Sequence, residues 1–200
     1  MAELELLDWR RQVAALYGRI RDRRDHDPRA AHDDWRATRD TLMRSHPETP
    51  LDDPAAFTGL SYAPYDPAYV WEVPVDTDVE RERFPVGTSG GDSIAFVRFG
   101  RVTLPPGTLD VFWLDAYGGG VFLPLRDATA GDTTYGGGRY LLDTAKGADL
   151  GSRPDGRLIL DFNFAYHPSC HYAPRWSCPL APPGNRLADP IPVGELAYRG

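Results

Sequence analysis

The sequence has a single lysine, Lys146, two cysteines, two methionines and only seven glutamates in 200 residues. It has no apolar run near the eighteen or so residues that span a bilayer, so no membrane partner is expected. Its start, MAELELLDWRR, is acidic and lacks the apolar stretch of a secretory leader. A soluble, cytoplasmic protein with reduced thiols is the expectation. A basic run is also missing: the net charge is −7 and most arginines stand among aspartates. Nucleic-acid binding wants a basic face, so no nucleic-acid partner is expected. The charges present are skewed, with 22 Asp to 7 Glu and 21 Arg to 1 Lys. An acidic, Lys-poor surface stays hydrated in concentrated salt. A halophilic host and a plain GC-rich codon bias are the two readings of that skew.

What the sequence does have is 42% hydrophobic and 12% aromatic residues, with 20 Gly and 19 Pro. That supports one sizeable core made of many short elements. A single domain over 1–200 is expected, with a helical N-terminal segment at 1–45 and a β domain at 60–200. Leu6, Trp9, Val13, Leu16 and Ile20 alternate spacings of three and four, the stripe of a helix. Asp22 to Asp25 form a solvated charge cluster. Asp27 followed by Pro28 reads as the cap of a second helix with a thinner stripe of Trp35, Thr38 and Leu42. Pro47 and Pro50 end it. From about residue 68 the period becomes two. AYVWEVPV, SIAFVRFGRVTL, TLDVFWLDAY, VFLPL, TYGGGRYLL and RLILDFNFAY read as strands separated by Gly- and Pro-rich turns. No later helix is available as a crossover, so the fold class is mainly β: an antiparallel β-barrel or sandwich with an N-terminal helical segment. The Pro-rich stretch 179–192 is expected to wrap the surface.

Two stretches carry candidate chemistry. Gly136, Gly137 and Gly138 stand between Tyr135 and Arg139, where bare amides and a guanidinium could face an anion. The stretch is neither a Walker loop nor a dinucleotide loop, and a β-bulge or corner explains it as well. Ser89 lies in GTSGG on a strand-to-strand turn, outside a nucleophile elbow. In LDFNFAY, Asp161 and Asn163 alternate with Phe162 and Phe164, so the polar pair points to one side of the sheet. The following loop, HPSCHYAPRWSC, holds His167, Cys170, His171 and Cys178. Their spacing matches no standard zinc knuckle, and adjacent Cys170 and His171 are hard to aim at one ion. A metal site, a disulfide, a Cys170 nucleophile with His167 or His171 as base, and two packed thiols remain as readings; no metal is favoured.

Three motifs, TLMRSHPETPL…FTGLSYAPYDPAYVWEV, FLPLRDATAGDTTYGGGRYL and LDFNFAYHPSCHYAPRWSCPLAPPGNRL…IPVGE, resemble in this order the family designated domain of unknown function 1684, over roughly residues 40–196. The resemblance maps onto Arg126, Asp127, Thr129, Gly131, Thr134, Tyr135, Gly136, Gly137, Gly138, Arg139 and Tyr140. It continues through Asp161, Asn163, Tyr166, Cys170, Cys178 and Asn185. It departs where His167 replaces Asn, His171 replaces Ala and Gly184 replaces Glu, so a metal site needing both histidines would be peculiar to this chain. The cysteine pair belongs to the shared pattern.

The expected function is a β-barrel that binds a small, anionic molecule in its mouth. Arg126, Asp127, Thr134, Tyr135, Gly137, Arg139, Tyr140, Asp161, Asn163 and Tyr166 are its candidate ligand-binding residues, with Arg139 as the anchor. A hydrolase or thiol-dependent enzyme using Cys170 with Asp161 or His167 is the first alternative. A structural or interaction module, with Trp9 and Trp35 marking a partner surface, is the second. No cofactor and no oligomeric state follow from the sequence.

Overall fold

A computed structural model describes residues 2–199. Two helices, α1 (Ala2–Arg23) and α2 (Pro28–Ser45), lead into seven strands. These are β1 (Val70–Val73), β2 (Glu82–Gly87), β3 (Ser93–Leu104), β4 (Gly107–Leu114), β5 (Val121–Leu125), β6 (Arg139–Asp143) and β7 (Leu158–Asp161). Asp27 caps α2 as expected, its carboxylate accepting from Ala30 N–H at 3.1 Å. Arg24, in the charge cluster between the helices, is buried rather than solvated.

Strands β2 to β6 form one antiparallel meander in chain order, while β1 pairs only with β7. The sheets are open, and among the described strands no closed barrel forms. β2 and β6 are the two edges of the larger sheet. Pro85 sits in β2, where an edge strand tolerates its missing N–H. The edge of β6 is taken instead by Tyr166, which exchanges both backbone hydrogen bonds with Tyr140 at 2.8 and 3.0 Å.

The main core joins helices and sheets: Leu16, Ile20 and Trp35 pack with Val102, Leu123, Leu141 and Phe164. Trp35 is fully buried and presents no surface to a partner. The stretch from Phe162 to Phe164 is not a continuing strand. Asp161 caps a single 3-10 turn there, accepting from Asn163 N–H at 3.0 Å, so Phe162, Asn163 and Phe164 are all buried and the expected alternation breaks. The Pro-rich tail also departs from expectation, since Leu187, Ile191 and Val193 enter the core. Asn185 is buried and ties the tail to the sheet. Its amide donates to Asp110 O at 2.9 Å and Pro124 O at 2.7 Å and accepts from Asp110 N–H at 3.1 Å.

Candidate functional site

The first glycine-rich motif turns out to be a staple for that tail. Asp127 folds its own loop by accepting from Thr129 N–H (2.9 Å) and Thr129 Oγ1 (2.6 Å), and it also accepts from Ile191 N–H at 3.1 Å. Arg139 is buried against it, with Nη2 2.9 Å from Asp127 Oδ2 and 2.8 Å from Ile191 O. Nη1 donates to Val193 O, and the buried Nε–H has no acceptor among the described residues. Thr134 shares a hydroxyl contact of 2.8 Å with Thr129, and Arg126 pairs its backbone with Arg186. Gly138 is required at the turn into β6. Its φ is +96°, and a Cβ there would lie 2.5 Å from Leu125 O. At Gly137 a Cβ would strike the Tyr135 ring.

The second motif docks a helix. Asn163 grips Asp66 both ways, accepting its N–H at 2.8 Å and donating to its carbonyl at 2.9 Å. Its own carbonyl lies 3.1 Å from His32 Nε2 on α2. Burial drives His32 down to about 4, so the ring is neutral near pH 7 and donates this bond. Asp161 is pushed up to about 6 by burial, against bonds from Asn163 and Tyr65.

These two devices bring together a pair that the sequence did not flag. Arg139 and Asp127 fix the tail to Val193, which delivers Glu195 into the interior. His32 and Trp35 fix α2, which delivers Arg39. Gly194, at φ +81°, lets the tail pass so close that a Cβ would lie 2.7 Å from Ala165 O. Arg39 Nη2 then meets Glu195 Oε2 at 2.6 Å. The carboxylate also accepts from the Tyr172 hydroxyl and from His167 N–H at 3.1 Å. Burial alone would raise Glu195, but Arg39, with bonds from His167 and Tyr172, outweighs it and holds the group at about 2. The guanidinium lies between Trp35 and Tyr166, 5.1 and 5.0 Å from their ring centres. Among the described residues its Nε–H is buried with no acceptor at hydrogen-bond geometry, and the Tyr62 hydroxyl beside the guanidinium is likewise unpaired.

Arg39 lines a solvent-open cleft between the helices and β6 with a cavity volume of about 90 Å³. Trp9, Tyr17, Tyr140, Tyr166 and Tyr172 supply aromatic walls, and Lys146 supplies a second cation. Asp143 lies 3.6 Å from the Lys146 ammonium, and burial pushes its carboxyl up. Of the sequence-based candidates, Tyr140, Tyr166, His167 and Cys178 line this cleft. Arg139, Asp127, Asp161 and Asn163 are buried behind it, engaged with the chain itself. The signal for Arg39 lay in the sequence: it is a lone cation at position i+4 from Trp35, on the buried stripe of α2.

His167 and His171 lie side by side, with ring centres 4.3 Å apart. His167 Nε2 accepts from Tyr135 N–H at 3.1 Å, and His171 Nε2 from Tyr198 N–H at 2.8 Å. The ring proton of a neutral His167 therefore sits on Nδ1, which lies 3.5 Å from Glu195. Both lone pairs are thus committed to backbone donors. Among the described residues, no group of three or more His, Cys, Asp or Glu is placed to hold a metal ion. Cys170 and Cys178 are free thiols. The Cys178 thiol donates to Cys170 and, with bonds from Ser89 and Tyr135 and against the effect of burial, lowers it to about 6. The same bond pushes Cys178 up.

Fold and site define a β-sheet domain with a helical cover and an aromatic cleft floored by a buried Arg–Glu pair. The chain belongs to the family of proteins of unknown function DUF1684, whose model matches residues 55–196. It is similar to the solution NMR structure of an uncharacterised protein of Haloarcula marismortui, with 28% identity and a TM-score of 0.58, covering 88% of this chain and 97% of that one. No curated protein matches. No helix among the described residues is long and apolar enough to cross a membrane.

Proposed function

We propose that the protein binds a small aromatic carboxylate in the cleft, with Arg39 and Lys146 as its anion partners. The observation that carries this is the guanidinium of Arg39 on the wall of an aromatic cleft, with a buried Nε–H that has no acceptor among the described residues. Buried donors are rarely left unmade, and a ligand carboxylate would satisfy this one. Tyrosine and tryptophan rings favour a flat ligand. Lys146, exposed at the rim beside Asp143, brings a second cation to the cleft. Arg139 also has a buried Nε–H without an acceptor among the described residues, but it does not line the cleft, whereas Arg39 does, which makes Arg39 the anchor. A closed barrel is not needed for this reading, and two free thiols accord with a cytoplasmic location.

Titration with benzoate, followed by calorimetry and thermal melting, tests the proposal. Saturable binding is expected, with a rise in Tm. Arg39→Lys keeps the charge beside Glu195 but removes the Nε–H and the planar fork, so affinity should fall about tenfold or more. Lys146→Ala, at an exposed rim position, should weaken binding about threefold to tenfold while leaving stability unchanged. Absence of saturable binding, or equal binding by all three proteins, would overturn it.

A Cys170 hydrolase is the weaker reading. The nearby imidazoles spend their lone pairs on backbone N–H groups, which leaves no neutral base to activate the water that would release an acyl group from Cys170.

A further inference from the structure

A second cavity, of about 110 Å³, adjoins the cleft at Asp143 and Lys146, which line both. Its apolar walls are Ile94, Phe96, Leu114, Val121, Phe122 and Pro179, most of them at one end of β3, β4 and β5. Phe96 and Phe122 stack with ring centres 5.0 Å apart, and Tyr140 meets Phe122 edge-on at 4.7 Å. These rings form a smaller core set apart from the main one. Its outer end is uncovered, since Ile94 and Leu114 are only half-buried. The polar side of the rim is tied in place. Thr144 Oγ1 accepts from Val121 N–H at 2.7 Å. Gly120, at φ +145°, presses on the same turn, where a Cβ would lie 2.8 Å from Ala145 N. The turn Thr144–Lys146 thereby holds the one lysine of the sequence at the mouth. The Lys146 side chain is 56% exposed, and the 9% exposed Asp143 approaches its ammonium at 3.6 Å. An ammonium has three N–H groups, so two remain for a second acceptor.

We propose that this pocket takes the hydrocarbon chain of a short straight-chain carboxylate, with the head group on Lys146. The concave wall of Phe, Ile, Leu and Val side chains removes the chain from water, which is the main driving force. A few polar groups at the mouth of such a pocket fix the orientation of what enters. Lys146 is the only cation among the described residues that line it, so the anionic end stays at the rim and the chain points inward. This occupant is distinct from the aromatic carboxylate proposed for the cleft. Arg39, Trp9 and Tyr17 line the cleft and not this pocket, and Lys146 is the cation common to both.

The test is titration of the full-length protein with the series from butanoate to decanoate, read by NMR. Reductive ¹³C-methylation keeps the lysine charge and gives a single lysine resonance, from Lys146. That resonance should shift saturably. Affinity should rise about threefold to fourfold per methylene and then level off once the pocket is full. Nuclear Overhauser contacts from the hexanoate chain should reach the ring protons of Phe96 and Phe122. Lys146→Ala should weaken every member of the series by a similar factor and leave the step per methylene unchanged. Chain contacts to the Trp9 and Tyr17 rings instead, an affinity independent of chain length, or one still rising at decanoate as in surface adsorption, would each overturn the proposal. The contacts to Phe96 and Phe122 are read without benzoate, so this pocket and the cleft stand or fall separately.

Discussion

Asp161 illustrates how one side chain can be both structural and titratable. Its carboxylate caps the turn at Phe162–Phe164 and accepts from Asn163 Nδ2 at 2.8 Å, yet burial raises it to about 6. A carboxyl raised in the folded state contributes stability that is full below its ordinary value of 3.8 and is lost as pH rises through about 6. The wild-type protein should therefore lose on the order of 2–3 kcal/mol from this group between pH 4 and 7. Asp161→Asn keeps an acceptor for the cap and has no proton to lose. Its stability relative to wild type should rise across that window, as urea midpoints at several pH values would show; a constant difference would contradict the assignment. The residue was legible in the sequence as a polar group that needs a partner. Its geometry was not, because the carboxylate stops the strand it appeared to continue.

At the scale of elements, the sequence was most readable where local chemistry decides the outcome. Asp27 and Pro28 mark the start of α2, and β3 and β5 fall on the apolar runs SIAFVRFGRVTL and VFLPL. β2 was not visible: ERFPVG is charged, contains a proline, and becomes a strand only because β3 offers it an edge. The tail was misread for the opposite reason. Its prolines suggested a surface wrap, but Arg139 supplies donors to carbonyls that a proline-rich chain leaves unpaired. The Arg139–Asp127 pair is buried on both sides, so Arg139→Met leaves a lone carboxylate and should cost about 3–5 kcal/mol. The loss should be localised first: backbone amides of 187–195 should exchange faster than those of β3 and β4. Uniform exchange across the molecule would show that the staple does not act on the tail. The candidate site divided along the same line. Tyr140, Tyr166 and Cys178 were legible because they sit in marked motifs. Arg39 showed only as a cation on the buried stripe of α2; its pairing with Glu195 was not legible, because 156 residues separate them and only the packed tail and α2 bring them together.

For the whole molecule, buried ionisable groups set the response to acid. His32 and His171 are each lowered to about 4, mainly by burial. A histidine depressed in the folded state contributes stability that is present above its ordinary value of 6.5 and is lost as pH falls through about 4. Asp161 works the other way over part of this range. Glu195, held near 2, gives way only at lower pH, between its ordinary value of 4.5 and about 2. Asp143, also raised by burial, opposes the histidines together with Asp161, so the histidine contribution is read by difference: the stability of the wild type relative to His32→Gln should fall from pH 6.5 to 4. A difference in denaturant midpoint that stays level from pH 7 to 4 would contradict this account of the core.

The central claim is that Arg39 presents its unpaired donor to a ligand in the cleft. The most direct measurement is the arginine Nε–H region of a ¹H–¹⁵N spectrum during benzoate titration, with Arg39 assigned by the Arg39→Lys variant. The account predicts that the Arg39 resonance shifts downfield, saturably, and further than that of any other arginine, while Arg139 stays in place. An unmoved Arg39 resonance at saturating benzoate, or a larger shift at Arg139, would contradict it.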